Sequence, residues 1–204
     1  MNYKNKTNDV RFIFLTTVLS LSVYMLSFCH KIAQCSLIFL FAMLTSNLIT
    51  EFYGKKSAIK AIGLSTLLNI VLLWNFEYRL GGVSSHVIIL VSLFSVFISA
   101  SGSIYLLKEN AGISFYKRNF VSLAAAALID GVIMSAYYLN IFSINKILSI
   151  FISEIMFKSL YISGMSVILY SLGKIRAVRQ FNELRRVHVS EHVSQASSRF
   201  NSSK

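Results

Sequence analysis

The sequence predicts an all-α, polytopic membrane protein with six transmembrane helices in one bundle. Of its 204 residues, 55% are hydrophobic and 14% are charged, which is too apolar a balance for the surface of a soluble domain. The apolar residues fall into six runs, each of which reaches the length of about 17 to 25 residues that a helix needs to cross a bilayer. The loops between these runs alternate in basic charge.

The predicted spans divide the chain into a core and two flanks. Residues 1–11 form a cytoplasmic flank, 12–173 the six-helix transmembrane domain and 174–204 a basic cytoplasmic tail. The chain has no proline, so we expect spans without proline kinks. We place these spans at residues 12–29, 36–53, 58–74, 87–107, 120–142 and 147–173.

The basic residues predict the orientation of the protein. Of the 20 Lys and Arg residues, sixteen lie on one side of the predicted membrane, counting Lys60 with the second loop, and three lie on the other. The remaining one, Lys158, lies within the sixth span. Under the positive-inside rule this asymmetry places both termini in the cytoplasm. It also explains the formal net charge of +12 without nucleic acid.

Three charged residues lie deep inside the fifth and sixth predicted spans and require an explanation. A charge at the bilayer centre costs about 2.5 to 3.5 kcal/mol on insertion scales, so such residues normally face the interior of a bundle. Asp130 lies near the middle of the fifth span, and Glu154 and Lys158 lie one helical turn apart in the sixth. Antiparallel neighbouring spans would bring all three to a similar depth. We predict a polar core that serves proton coupling or gating.

The second span ends in a polar patch. Asn47 and Glu51 are one turn apart on one helix face, where they offer an amide and a carboxylate to the bundle interior. The N–H donors on the edge of a guanine-like ring would suit this pair. The alternative is that Glu51 pairs with Lys55 at i,i+4 spacing, while Asn47 bonds a neighbouring helix.

The fourth span carries a face of small residues. Such a face indicates close helix packing, and a polar path along the span is the alternative. The residues concerned are Ser92, Ser95, Ser99, Ser101, Gly102 and Ser103.

Three stretches of the chain carry a resemblance to a known family. The first is NLITEFYGKK at residues 47–56, with Ala58 after it. The fifth span adds Arg118, Ser122, Ile129 and Asp130, and the sixth adds Lys158. The pattern resembles the signature of the queuosine precursor transporter family, six-span bacterial inner-membrane proteins also described as vitamin-uptake-like transporters. The resemblance covers most of the chain from Leu40 to Tyr170.

This resemblance implies a function. It predicts a multi-pass protein of the bacterial inner membrane that imports a 7-deazaguanine, such as a queuosine precursor, for tRNA modification. We expect a secondary carrier, because the sequence lacks a nucleotide-hydrolysis motif. The substrate-binding residues that follow from the resemblance and from the polar patches are Asn47, Glu51, Tyr53, Arg118, Asp130 and Lys158.

Two other functions remain open at this point. The chain has the size of a six-span substrate-binding subunit of an ATPase-energised vitamin importer, and it could also be a non-transporting membrane scaffold. No enzyme motif is present, so we expect neither catalysis nor a cofactor. His188 and His192 share a helix face but are too few ligands for a metal site. The expected partners are the small-molecule substrate and membrane lipid, and self-association is left open.

Overall fold

The computed structural model describes residues 3–29, 31–74, 79–80, 83–109 and 113–201, with side chains for 10–29, 31–74, 86–109 and 113–174. Most of this part of the chain is helical, and in a short ladder β1 (Arg79–Leu80) pairs antiparallel with β2 (Val83–Ser84). The helices are α1 (Tyr3–Leu26), α2 (Ile32–Tyr53), α3 (Lys55–Leu73), α4 (Ser85–Glu109), α5 (Phe115–Tyr138) and α6 (Ile144–Asn201).

The predicted fold class is confirmed. Five of the described helices are long and apolar enough to cross a membrane, and α1 contains the shorter apolar segment Val10–Leu26. The architecture is that of a polytopic helical membrane protein.

The chain divides into two compact units, Met1–Gly164 and Met165–Lys204. The helices α1 to α5 and the first part of α6 belong to the first unit. In the described part of the second unit the backbone is the continuation of α6, which runs to Asn201. The predicted boundary at residue 173 is therefore not marked by a helix end, since the sequence beyond it contains no proline and is rich in residues that tolerate a helix.

Two predicted spans extend several residues past their helices. The first was predicted to end at residue 29, whereas α1 ends at Leu26. The fifth span was placed to residue 142, whereas α5 ends at Tyr138. After that residue the chain turns, and the side-chain amide of Asn140 donates to the carbonyl oxygen of Tyr137 at 3.1 Å. Asparagine competes in this way for backbone carbonyls that a continuing helix would use, so the apolar residues Ile141 and Phe142 belong to the loop.

The most buried of the described spans is α2. In its most apolar window 56% of the residues are buried inside the protein, against 11% for the corresponding window of α6. A helix that is apolar on every face is stable when surrounded by other helices, and α2 packs against α1, α3, α4 and α5. The first part of α6 instead lies at the edge of the bundle, with most of its residues exposed.

A single glycine connects α2 to α3. Gly54 has φ +84° and its amide donates to the carbonyl oxygen of Thr50 at 3.0 Å. Glycine adopts this left-handed region without a steric penalty, whereas a side chain would be strained there. The turn brings Lys55 and Lys56 to the end of the bundle at which α2 ends and α5 begins. We call this the basic end, and the opposite one the cavity end.

The contact between α5 and α6 gives a first prediction. A Cβ atom on Gly131 would lie 2.9 Å from Cε2 of Phe151, whereas a Cβ atom on Gly164 would meet nothing within 4 Å. We expect Gly131→Ala to lower the melting temperature of the purified protein, because overpacking costs about 1 to 3 kcal/mol and helix propensity returns at most about 1 kcal/mol. The matched change Gly164→Ala should leave it equal or higher. Equal melting temperatures for the two variants would contradict this helix contact.

Candidate functional site

The three charged residues of the predicted core meet in the structure. The Lys158 ammonium donates to Oδ2 of Asp130 at 2.7 Å and to Oε1 of Glu154, one helical turn away on α6. The other carboxylate oxygen of Asp130 accepts a hydrogen bond from Ser95 of α4 at 2.5 Å. The predicted grouping of Asp130, Glu154 and Lys158 at one depth is therefore observed, with Ser95 as a fourth member.

The Lys158 side chain is enclosed by the surrounding helices. Its side chain is only 1% exposed, and its ammonium lies 4.4 Å from the centroid of the Phe39 ring on α2. An ammonium over an aromatic face gains about 2 kcal/mol when both are desolvated. The Lys158 ammonium therefore contacts the Phe39 ring in addition to its two carboxylate partners.

A cavity reaches this cluster from the cavity end. Its volume is about 270 Å³, and both Asp130 and Glu154 line it. It extends to the place where α1 ends and α2 begins, where Ser27 and Cys29 line it, and Phe39 lines it as well. The remaining residues that line it are Leu26, Ile32, Cys35, Ile88, Ile89, Ser92, Met134, Tyr138 and Ile150.

The composition of the cavity defines what it could hold. Two carboxylates against one ammonium leave one formal negative charge in the cluster, while most of the surrounding residues are apolar. Cavities that bind drug-sized ligands measure about 300 to 1,000 Å³, so this one has room for a smaller molecule. A small planar compound with N–H donors on one edge would satisfy the carboxylates and contact the apolar wall.

Asn47 lies in a separate group of polar side chains nearer the basic end. Its amide nitrogen donates to Oδ1 of Asn119 at 2.9 Å and to Oγ of Ser122 at 3.0 Å, and its oxygen accepts from Ser103 at 3.0 Å. All four residues are 0% exposed. We call this group the polar seam. The alternative that Asn47 bonds neighbouring helices is the one observed.

Glu51 pairs across the bundle and not along its own helix. Its two carboxylate oxygens accept from the Arg118 guanidinium of α5, at 3.0 and 3.3 Å. Arg118 also donates to the carbonyl oxygen of Leu107, at 3.3 Å. The alternative pairing with Lys55 is wrong, because the Lys55 ammonium lies instead over the ring of Tyr105, 4.4 Å from its centroid.

The predicted substrate-binding residues therefore fall into two places. Asp130 lines the cavity and Lys158 lies directly behind it, whereas Asn47, Glu51 and Arg118 lie toward the basic end. Arg118 and Asp130 are twelve residues apart on α5, which corresponds to about 18 Å at about 1.5 Å per residue. Tyr53, at the end of α2, packs its ring edge-on against Phe12 of α1 at 5.1 Å between centroids.

Several site residues were not singled out from the sequence. Phe39 gave no signal, because an aromatic residue in an apolar run is ordinary. Asn119 was placed outside the fifth span, but it lies in α5 and is fully buried. Ser95 and Ser103 were part of the small-residue face, and their spacing with Ser99, one turn each, was the available sign of a polar stripe.

Fold and site together define a class: a helical membrane protein in which a charged cluster lines a cavity inside the bundle. Comparisons with protein-family models, with curated proteins and with solved structures found no match to this chain. The class therefore rests on the spans, the cluster and the cavity.

Proposed function

We propose that the protein imports a 7-deazaguanine, such as a queuosine precursor, across the bacterial inner membrane as a secondary carrier. The observation that carries this proposal is the cavity of about 270 Å³ that exposes Asp130 and Glu154 to a small ligand within a bundle of membrane-spanning helices. The resemblance of residues 47–56, of Asp130 and of Lys158 to the queuosine precursor transporter family supports the choice of substrate.

The chemistry of the ligand suits the cluster. The Watson–Crick edge of a guanine-like base presents adjacent N–H donors, which ionised carboxylates accept. Hydrogen bonds to charged groups contribute about 1.5 to 3 kcal/mol each. A ligand that lacks these donors would leave Asp130 and Glu154 unsatisfied, which is the basis of strong discrimination by buried polar sites.

The cluster also provides a means of coupling. Lys158 holds both carboxylates in the absence of ligand, and a ligand that donates to Asp130 or Glu154 would compete with it. The one negative charge in excess attracts a cation, and a proton is the smallest candidate. This arrangement supports transport driven by a proton gradient, and the basic loops support an orientation with both termini in the cytoplasm.

Filling the cavity provides a test that leaves every charge in place. Ser92 lines the cavity, while its neighbour Val91 lines an apolar groove between α3 and α4 on the outer side of the bundle. We expect Ser92→Phe to weaken precursor binding by about ten- to a hundredfold, because overpacking costs about 1 to 3 kcal/mol. Val91→Phe should bind the precursor normally.

The readout is direct binding of the precursor to purified protein, followed by restoration of queuosine in tRNA. The host for the second assay is a bacterium that neither makes the precursor nor has its own transporter. Wild type and Val91→Phe should restore the modification, and Ser92→Phe should not. Failure of the wild-type protein to bind or import any 7-deazaguanine would overturn the proposed substrate. Import that requires a partner ATPase would instead make the protein a substrate-binding subunit.

A further inference from the structure

The polar seam occupies the part of the bundle that lies between the cavity and the basic end. Its members are Asn47 of α2, Ser103 of α4, and Asn119 and Ser122 of α5, and all are 0% exposed. At the basic end it is followed by the pair formed by Glu51 and Arg118, joined through two hydrogen bonds.

Toward the cavity the seam continues along α4. Ser99 lies one turn before Ser103 and one turn after Ser95, which donates to Asp130. The Ser99 hydroxyl is fully buried and has no hydrogen-bond partner among the described residues, and the same holds for Nδ2 of Asn119 and Nε of Arg118. Buried polar groups in proteins normally have partners. Water molecules that enter the seam would supply hydrogen-bond partners for these three groups.

The polar seam lies at the boundary between α2 on one side and α4 and α5 on the other. Every side-chain hydrogen bond that Asn47 and Glu51 make to another helix crosses this boundary. By contrast, α4 and α5 are held to each other, since the hydroxyls of Ser103 and Ser122 are 2.5 Å apart and a Cβ atom on Gly102 would lie 2.9 Å from Cδ1 of Ile129.

Parting α2 from this pair at the seam costs little there, because the groups that become exposed at the seam are polar. Exposing apolar surface to water costs about 25 cal/mol per Å², whereas amides and hydroxyls exchange protein partners for water at little net cost. Other parts of the core consist of apolar side chains, among them Leu19 of α1 and Leu73 of α3, each 1% exposed. The seam is therefore the interface of the bundle that water can enter most easily.

We propose that the polar seam is the inner half of the transport path, closed in this structure, and that Glu51 and Arg118 form the gate at its end. In the described arrangement the cavity lies toward one end of the bundle, and the seam, toward the other end, is closed by its own hydrogen bonds. Movement of α2 away from α4 and α5 opens the seam and connects Asp130 to the basic end. This proposal rests on the proposed transport function, but its test needs no substrate.

The test measures access of water to the seam by thiol labelling. The two native cysteines, Cys29 and Cys35, are replaced by serine, and Ser103→Cys is added to the full-length protein. Membrane vesicles of each orientation are treated with a membrane-impermeant maleimide. The matched control is Ala100→Cys, three residues earlier on α4 and also 0% exposed, but in the apolar core.

We expect Ser103→Cys to react from the membrane face that carries the basic end, at least about tenfold faster than Ala100→Cys. Open states of this kind are populated at about 0.1 to 10%, whereas the apolar core opens only through unfolding. Ser122→Cys should behave in the same way, and it serves if Ser103→Cys does not fold. Labelling of both as slowly as Ala100→Cys, or only from the opposite face, would overturn the proposal.

Precursor uptake by the wild-type protein, in which the cavity residues Cys29 and Cys35 are unchanged, separates the two proposals. Labelling of the seam without uptake of the precursor would support the proposed path and contradict the proposed substrate. Precursor uptake without labelling of the seam would support the proposed substrate and contradict the proposed path.

Discussion

Lys158→Met should destabilise the folded protein more than any other single change discussed above, by about 3 to 5 kcal/mol. The substitution leaves Asp130 and Glu154 facing each other in a poorly solvated site without the cation that holds them. Asp130→Asn should cost less, because Lys158 keeps Glu154 as a partner. Lys146→Met is the control, since Lys146 is exposed near the cavity end and surface changes usually stay within about 0.5 kcal/mol.

Combining substitutions separates structural from functional roles of the cluster. Removing all three charges with Asp130→Asn, Glu154→Gln and Lys158→Met should recover much of the lost stability, because a neutral replacement of a buried ion pair is often tolerated. Asp130→Asn with Lys158→Met should recover less, since Glu154 stays charged. Melting temperature and folded yield report stability. Losses that simply add would show that the residues are not coupled.

Uptake of the precursor is the second readout for the same variants. A proton relay or gate needs groups that change charge, so the stable triple variant should transport poorly. If it takes up precursor at the wild-type rate, the cluster only fixes the packing of α5 against α6.

Glu51→Gln should destabilise the protein by about 1.5 to 3 kcal/mol, because the buried Arg118 loses a charged acceptor. Arg118 is 8% exposed and Glu51 32%, and solvent screening of the carboxylate favours the lower part of this range. Affinity for the precursor should not change, since the cavity lies toward the other end of the bundle. Melting temperature and equilibrium binding of the purified variant measure the two quantities.

The opposite pattern would support the prediction, made from the sequence, that Glu51 binds the substrate. Normal stability with affinity weakened about ten- to a hundredfold would make Glu51 a substrate contact. Lys55→Gln is the matched control, because Lys55 is the basic residue one turn from Glu51 on the chain. It should leave stability within about 0.5 kcal/mol, as its ammonium contacts Tyr105 and not Glu51.

The sequence by itself determined the fold class and the location of the charged core. Membrane-spanning runs are recognisable one at a time, because each helix satisfies its own backbone in a bilayer. A charge in such a run is costly wherever it lies, so Asp130, Glu154 and Lys158 stood out without knowledge of the packing. Their grouping followed from the antiparallel order of neighbouring spans.

Only the tertiary structure decided which helix is central and which residues share a site. Helices in a bilayer are apolar on their lipid faces and on many of their packed faces, so composition could not place α2 inside and α6 at the edge. It also could not decide between Lys55 and Arg118 as the partner of Glu51. Proximity along the chain favours the first, and the 67 residues that separate Glu51 from Arg118 are bridged only when α2 and α5 pack together.

Only the tertiary structure also decided that the predicted site residues are divided between the cavity and the polar seam. Asn47 and Asp130 are both polar residues in apolar spans, and both were predicted from the sequence to belong to one substrate site. Their depths along α2 and α5 depend on where each helix starts and on how the two cross. Those distances arise from side-chain packing between helices distant in sequence, and no local pattern in the chain encodes them.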